Sequence, residues 1–164
     1  MAITCQWGDF VMRKILFVCT GNTCRSPMAE AIFKYKSNNR YEVKSAGIFA
    51  HEGSLASSHS QEILKKEEIP LDHKSKQLTT ELVAWSDLIL TMGNSHKELI
   101  LQRYPKSSGK VYTLKEFALN SKADIVDPFG GTLEVYEQTY QEIKEAVEKL
   151  IEKLDNLTND QQEE

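Results

Sequence analysis

Apolar residues along this chain fall into two rhythms, one of continuous or alternating runs and one of helical spacing. Residues 14–19, KILFVC, are apolar after the lysine and of strand length, as expected for a strand buried on both faces. Met28, Ala31, Ile32 and Tyr35 then recur at helical spacing, and Pro27 suits the first turn of that helix, where its missing N–H costs nothing. YEVKSAG at 41–47 alternates as a strand does and stops at Gly47. SSHSQEILKKEEI at 57–69 predicts a helix with Ser57 or Ser58 as N-cap and Pro70 beyond its end. TTELVAWSDLILTM predicts a short helix from Thr79 or Thr80, then a strand at 87–91. SHKELILQRY at 95–104 reads as helix and KVYTL at 110–114 as strand. In TLEVYEQTYQEIKEAVEKLIEKL the apolar positions 136, 140, 143, 147, 150 and 154 step by four and three, a strong helix signal.

Strands alternating with helices imply an α/β fold. The expectation is a three-layer sandwich, with a four-stranded parallel sheet, helices on both faces and right-handed crossovers. In such sheets ligands bind beyond the carboxyl ends of strands. The first strand ends at Cys19, so the fold reading already points there.

The remaining chain adds little architecture. Its 164 residues suit one domain. Residues 1–11 show no period and are expected to be an extension outside a domain at 12–155. The polar stretch 156–164, NLTNDQQEE, is expected to be a flexible tail. A net charge of −4 and a pI near 5.6 argue against a nucleic-acid partner, and no run approaches 18 apolar residues, so no membrane span is expected. The start of the chain lacks a signal-peptide core, so its three cysteines read as reduced thiols and the location as cytoplasmic. No extra apolar stripe suggests an interface, so a monomer is expected.

The chemistry concentrates in CTGNTCRSP, residues 19–27. Cys19 and Arg25 are five residues apart, between a buried strand and a helix start. Successive backbone N–H groups in such a loop can turn inward as an anion nest, and the helix N-terminus adds about half a positive charge. Gly21 takes positive φ without penalty and Asn22 tolerates it well. Arg25 can grip two phosphate oxygens at once. That cationic setting favours the thiolate of Cys19, and Ser26 is placed to donate a hydrogen bond to it. The site then offers a nucleophile beneath a bound phosphoryl group, with Thr20, Gly21, Asn22, Thr23, Cys24 and Ser26 as the phosphate-binding loop. Neither nucleotide-binding glycine motif occurs.

A departing group needs a proton. ADIVDPFGG at 123–131 supplies Asp127, held out of helical conformation by Pro128, and the less distinctive Asp124. Gly130 and Gly131 let that loop fold back toward a pocket. His51, His59, His73 and His96 are scattered without metal-ligand spacing, so neither metal nor cofactor is expected.

Together these residues resemble the low-molecular-weight protein tyrosine phosphatase family, from about Lys14 to Leu154. The resemblance implies Cys19 as nucleophile, Arg25 as phosphate clamp and Asp127 as general acid, with Asn22, Ser26, Ser45 and His73 supporting the loop. Tyrosine-specific members typically carry isoleucine where this chain has Thr23, and two aromatics where it has Phe129 and Gly130. A polar loop with one wall missing suits a smaller, polar leaving group, so the chain is similar to the bacterial protein-arginine phosphatase branch. The expected activity is hydrolysis of phosphoarginine in phosphorylated protein substrates through a cysteinyl-phosphate. The alternatives are a tyrosine phosphatase, an arsenate reductase (short of relay cysteines), and a non-catalytic phosphate-binding module, which would need neither Cys19 nor Asp127. Cys24, five residues after Cys19, suggests a disulfide that protects the nucleophile under oxidation.

Overall fold

Lys14–Cys19 forms β1, and its side chains alternate between two cores as the pleat requires. Ile15, Phe17 and Cys19 face one apolar cluster, Leu16 and Val18 the other. This computed structural model describes residues 12–162, so the extension expected at 1–11 lies outside the described residues.

Three more strands pair in parallel: β2 (Glu42–Gly47), β3 (Leu88–Thr91) and β4 (Val111–Thr113). The sheet order is β2-β1-β3-β4, with Cys19 opposite Gly47 and Val18 opposite Thr91. The chain leaves β1 toward β2 and returns on the other side through β3, so the order reverses at β1, where a crevice opens at the strand ends.

Six α-helices are found among the described residues: α1 (Arg25–Lys36), α2 (Ser58–Lys66), α3 (Thr80–Trp85), α4 (Asn94–Arg103), α5 (Leu114–Leu119) and α6 (Leu133–Gln162). One face of the sheet packs on α1, α5 and α6 through Met28, Ile32, Phe33, Phe117, Ile143, Val147 and Leu150. The other packs on α3 and α4 through Val83 and Ile100. This is the expected three-layer arrangement. Caps decide the two ambiguous starts: Ser57 accepts from Ser60 N and Thr79 from Leu82 N.

Three sequence expectations shift. Tyr35, spaced with the apolar positions of α1, is exposed, whereas Phe33, outside that spacing, is fully buried and stacks edge-to-face on Phe17, with ring centroids 5.7 Å apart. Leu114 opens α5 instead of closing β4. Thr113 and Glu116 form a reciprocal capping box there, which turns the chain into a helix sooner than the apolar run suggests. Finally, α6 continues to Gln162, so residues 156–162 of the expected tail are helical. Thr158 Oγ1 bonds the Leu154 carbonyl 3.0 Å away within that extension.

Candidate active site

The loop between β1 and α1 is held by its carbonyls. Ile48 N bonds the Cys19 carbonyl at 3.0 Å and Phe49 N bonds that of Thr20 at 2.9 Å. His73 Nε2 donates to the Asn22 carbonyl at 2.7 Å. Ser57 N bonds the Thr23 carbonyl at 2.8 Å, and Ser60 Oγ reaches that of Cys24 at 3.4 Å. In a trans peptide the carbonyl of one residue and the N–H of the next point in opposite directions. Five carbonyls bound outward therefore turn the N–H groups of Thr20, Gly21, Thr23, Cys24 and Arg25 inward. The result is an anion nest that the helix α1 N-terminus reinforces.

A cavity of about 210 Å³ lies over this nest, lined by Cys19, Thr20, Gly21, Thr23, Cys24, Arg25, Asp127 and Phe129. Sequence reasoning named every one of these. Asn22, Ser26, Ser45 and His73 sit behind the loop as its support. The left-handed residue is Asn22, at φ 57°; Gly21 does not take positive φ as expected. Only at Asn22 does that turn send a carboxamide back beneath the loop.

Fully buried Asn22 spends its whole carboxamide there. Its Nδ2 donates to Ser26 Oγ at 2.8 Å and to Ser45 Oγ at 2.9 Å, while Oδ1 accepts from Lys76 N at 2.9 Å. Ser26 Oγ, already accepting from Asn22, has its proton free for Cys19 Sγ, 2.9 Å away. Ser45 Oγ donates in turn to Glu30 Oε2 at 2.6 Å, and His73 Nδ1 lies 3.7 Å from the same oxygen. Burial alone would raise the Glu30 pKa, but bonds from His73 and Ser45 and the Lys34 charge outweigh it and hold it below the usual value. Glu30 escaped the sequence reading, although its position four residues after Ser26 puts both on one helix face.

Three other contributors went unnoticed in the sequence. A methyl on Gly47 would sit 2.5 Å from the Thr20 carbonyl and 2.9 Å from Asn22 N, so only glycine lets β2 press on the loop. His96, in the first turn of α4, places Nε2 2.9 Å from Thr20 Oγ1. Tyr136 OH lies 3.3 Å from Cys24 Sγ; its pKa is pushed up to about 12, first by burial and then by that contact.

Arg25 is buried at the cavity edge. Its Nη1 donates to the Ile125 carbonyl at 3.0 Å, which fixes the guanidinium plane, and Nη2 lies 3.6 Å from Asp127 Oδ2. The Asp127 side chain is 54% exposed, and its Oδ1 accepts from Phe129 N at 3.1 Å, an Asx turn that holds it over the opening. Gly130 follows at φ 76° and turns the loop back. Asp124, the weaker acid candidate, instead accepts from Asn94 N at 2.9 Å and binds the α4 N-terminus. Among the described residues, no three His, Cys, Asp or Glu side chains gather as a metal site would need, and no helix is long and apolar enough to cross a membrane.

Chemically, the arrangement can hold a tetrahedral dianion against backbone N–H groups and a planar cation. It offers a sulfur nucleophile from below and a carboxyl group above.

Comparison with known proteins joins sequence to geometry. Residues 14–162 match the family described as low molecular weight phosphotyrosine protein phosphatase. A protein-arginine-phosphatase of Geobacillus stearothermophilus is 48% identical over 141 residues, covering 86% of this chain and 95% of the relative. A low molecular weight protein-tyrosine-phosphatase, PtpB, of Staphylococcus epidermidis is 42% identical over 137 residues, covering 84% and 96%. The structure of YwlE arginine phosphatase from Geobacillus stearothermophilus superposes with a TM-score of 0.86 at 46% identity, covering 88% and 94%. A YwlE arginine phosphatase mutant with a phosphorylated active-site serine in place of cysteine gives 0.84 at 43% identity, covering 87% and 95%.

Proposed function

The chain belongs to the low molecular weight phosphotyrosine protein phosphatase family, and from its likeness to protein-arginine phosphatases we infer that it removes phosphoryl groups from arginine side chains of proteins. The reaction runs through a phosphocysteine. What supports this most is the loop in which five carbonyls are tied outward, with Cys19 at its base and Arg25 at its edge. The likeness to a relative that carries phosphate on its substituted active-site serine supports the covalent step.

In the first half-reaction the Cys19 thiolate attacks phosphorus and the P–N bond breaks. The electron pair goes to the guanidine nitrogen, which takes a proton from Asp127. Inward N–H groups and Arg25 hold the equatorial oxygens as charge redistributes. In the second, water gives a proton to Asp127 and its oxygen attacks phosphorus, and the S–P bond breaks to restore the thiolate. Ser26 steadies sulfur whenever it carries charge.

Substrate choice rests on Thr23 and Phe129. Thr23 sets a hydroxyl, not a larger apolar side chain, in the wall, and Phe129, 81% exposed, is followed by Gly130 where a second aromatic would close the opening. A flexible stem ending in a polar guanidinium passes such a half-open wall, whereas a phenyl ring loses much of its apolar contact. The test is initial rates on phosphoarginine and phosphotyrosine peptides for wild type and Thr23→Ile. Preference for phosphoarginine, shifting toward phosphotyrosine in the variant, is expected. A wild type that prefers phosphotyrosine refutes the arginine reading.

A further inference from the structure

His96 has no part in the steps above, yet it is only 6% exposed and touches the cavity lining. Its Nε2 lies 2.9 Å from the hydroxyl of Thr20, which is itself exposed at the cavity. Its Nδ1 is buried with no hydrogen-bond partner among the described residues. Burial, then the Arg25 cation, push its pKa down to about 4, against the opposing pull of Asp124 and Asp127. The ring is therefore neutral near pH 7 and carries a single N–H.

Which nitrogen carries that proton decides what Thr20 can do. A methyl built on Gly93 would meet Asp124 Oδ2 at 3.2 Å and His96 Nδ1 at 3.5 Å, so the carboxylate and Nδ1 share one side of Gly93. A proton on Nδ1 sits in the negative potential of that carboxylate. On the Nε2 side the hydroxyl opposite can serve as donor or acceptor equally well, so that contact does not itself choose the tautomer. Asp124 thus favours Nδ1–H and leaves Nε2 bare, so Thr20 must donate its only proton to the ring. Its oxygen then presents lone pairs alone to the cavity.

We propose that His96 is a specificity-setting positioning residue: by holding the Thr20 hydroxyl proton, it makes Thr20 Oγ1 an acceptor for the N–H groups of a substrate guanidinium. The proposal rests on the phosphoarginine reading and names how this site recognises that substrate. A phosphorylated guanidinium keeps N–H donors beside the scissile bond, and a phenyl ester has none. The pair favours an N-linked substrate by a hydrogen bond that an O-linked aryl phosphate cannot make.

The test compares kcat/KM on phosphoarginine and phosphotyrosine peptides for wild type, Thr20→Val, His96→Phe, His96→Gln and the Thr20→Val/His96→Phe double variant. Folding of each is checked by thermal unfolding. One hydrogen bond to a charged group is removed, so the arginine-to-tyrosine ratio is expected to fall about tenfold in Thr20→Val and in His96→Phe. The double variant should fall no further than either single one, and His96→Gln, which retains an acceptor, should recover part of the ratio. Nitrogen-15 chemical shifts of the wild-type imidazole should show the Nδ1–H form. An unchanged ratio, additive losses or an Nε2–H ring overturns the proposal while leaving the phosphoarginine reading standing. A wild type inactive on phosphoarginine overturns both.

Discussion

Replacing Asn22 by alanine and, separately, by glycine separates the two things that residue does. Its side chain makes three buried hydrogen bonds, to Ser26, Ser45 and Lys76, and its backbone sits at φ 57°. Ser26 and Ser45 retain partners in Cys19 and Glu30, so the orphaned group is Lys76 N. At about 1 kcal/mol for each bond, both variants lose roughly 3 kcal/mol. Alanine adds about 1 kcal/mol for the left-handed backbone, which glycine adopts without strain. Urea denaturation should therefore give about 4 kcal/mol of destabilisation for Asn22→Ala and about 3 kcal/mol for Asn22→Gly, within the 5–15 kcal/mol typical of a folded domain. Both should lose roughly a hundredfold in kcat, because Ser26 and the loop N–H groups are no longer aimed together. If Asn22→Gly kept wild-type kcat, the carboxamide would not be what shapes the loop and the reasoning would fail.

Other consequences follow from single contacts. Gly47→Ala drives a methyl against loop backbone and should cost about 1–3 kcal/mol with a clear loss of kcat; unchanged melting and kinetics would show that β2 yields without disturbing the loop. His96 is held neutral in the fold down to about pH 4, whereas in the unfolded chain it takes a proton near about 6.5. Stability should therefore fall as pH drops from about 6.5 toward 4, and His96→Gln should flatten that decline in melting temperature; equal slopes would refute the assignment. Under peroxide, Cys19 oxidised to sulfenic acid is expected to be captured by the Cys24 thiol with loss of water. Cys24→Ser should then recover less activity after reduction, and identical recovery would remove Cys24 from any protective role.

Much of this protein is legible along the chain because its decisive pieces are local. Cys19 and Arg25 lie within one loop, the strand before them is unbroken, and Pro128 with Gly130 marks the Asp127 turn. The spacing of 136, 140, 143, 147, 150 and 154 picks out residues that are all buried in α6. The short helix α5 was readable in principle from Thr113 and Glu116, but an apolar run ending at Leu114 resembles a strand until the cap is recognised.

What periodicity and spacing do not carry is the set of contacts that joins distant segments. His73 reaches Asn22 across 51 positions, His96 reaches Thr20 across 76, Arg25 reaches Ile125 across 100 and Tyr136 reaches Cys24 across 112. Ser45 and His73 entered the sequence reading only through family resemblance, while Glu30, Gly47 and His96 did not enter as site residues. Their roles depend on which strand ends a parallel sheet sets side by side, and here that is decided by β1 lying between β2 and β3. By itself, then, the sequence determined the Cys-x5-Arg loop and the Asp-Pro turn on which the proposed nucleophile and acid sit, since each is a short-range pattern of residue types. Tertiary structure alone decided how the loop is braced and which side chains face its rim, because hydrogen bonds between remote residues exist only once the sheet has ordered the strands.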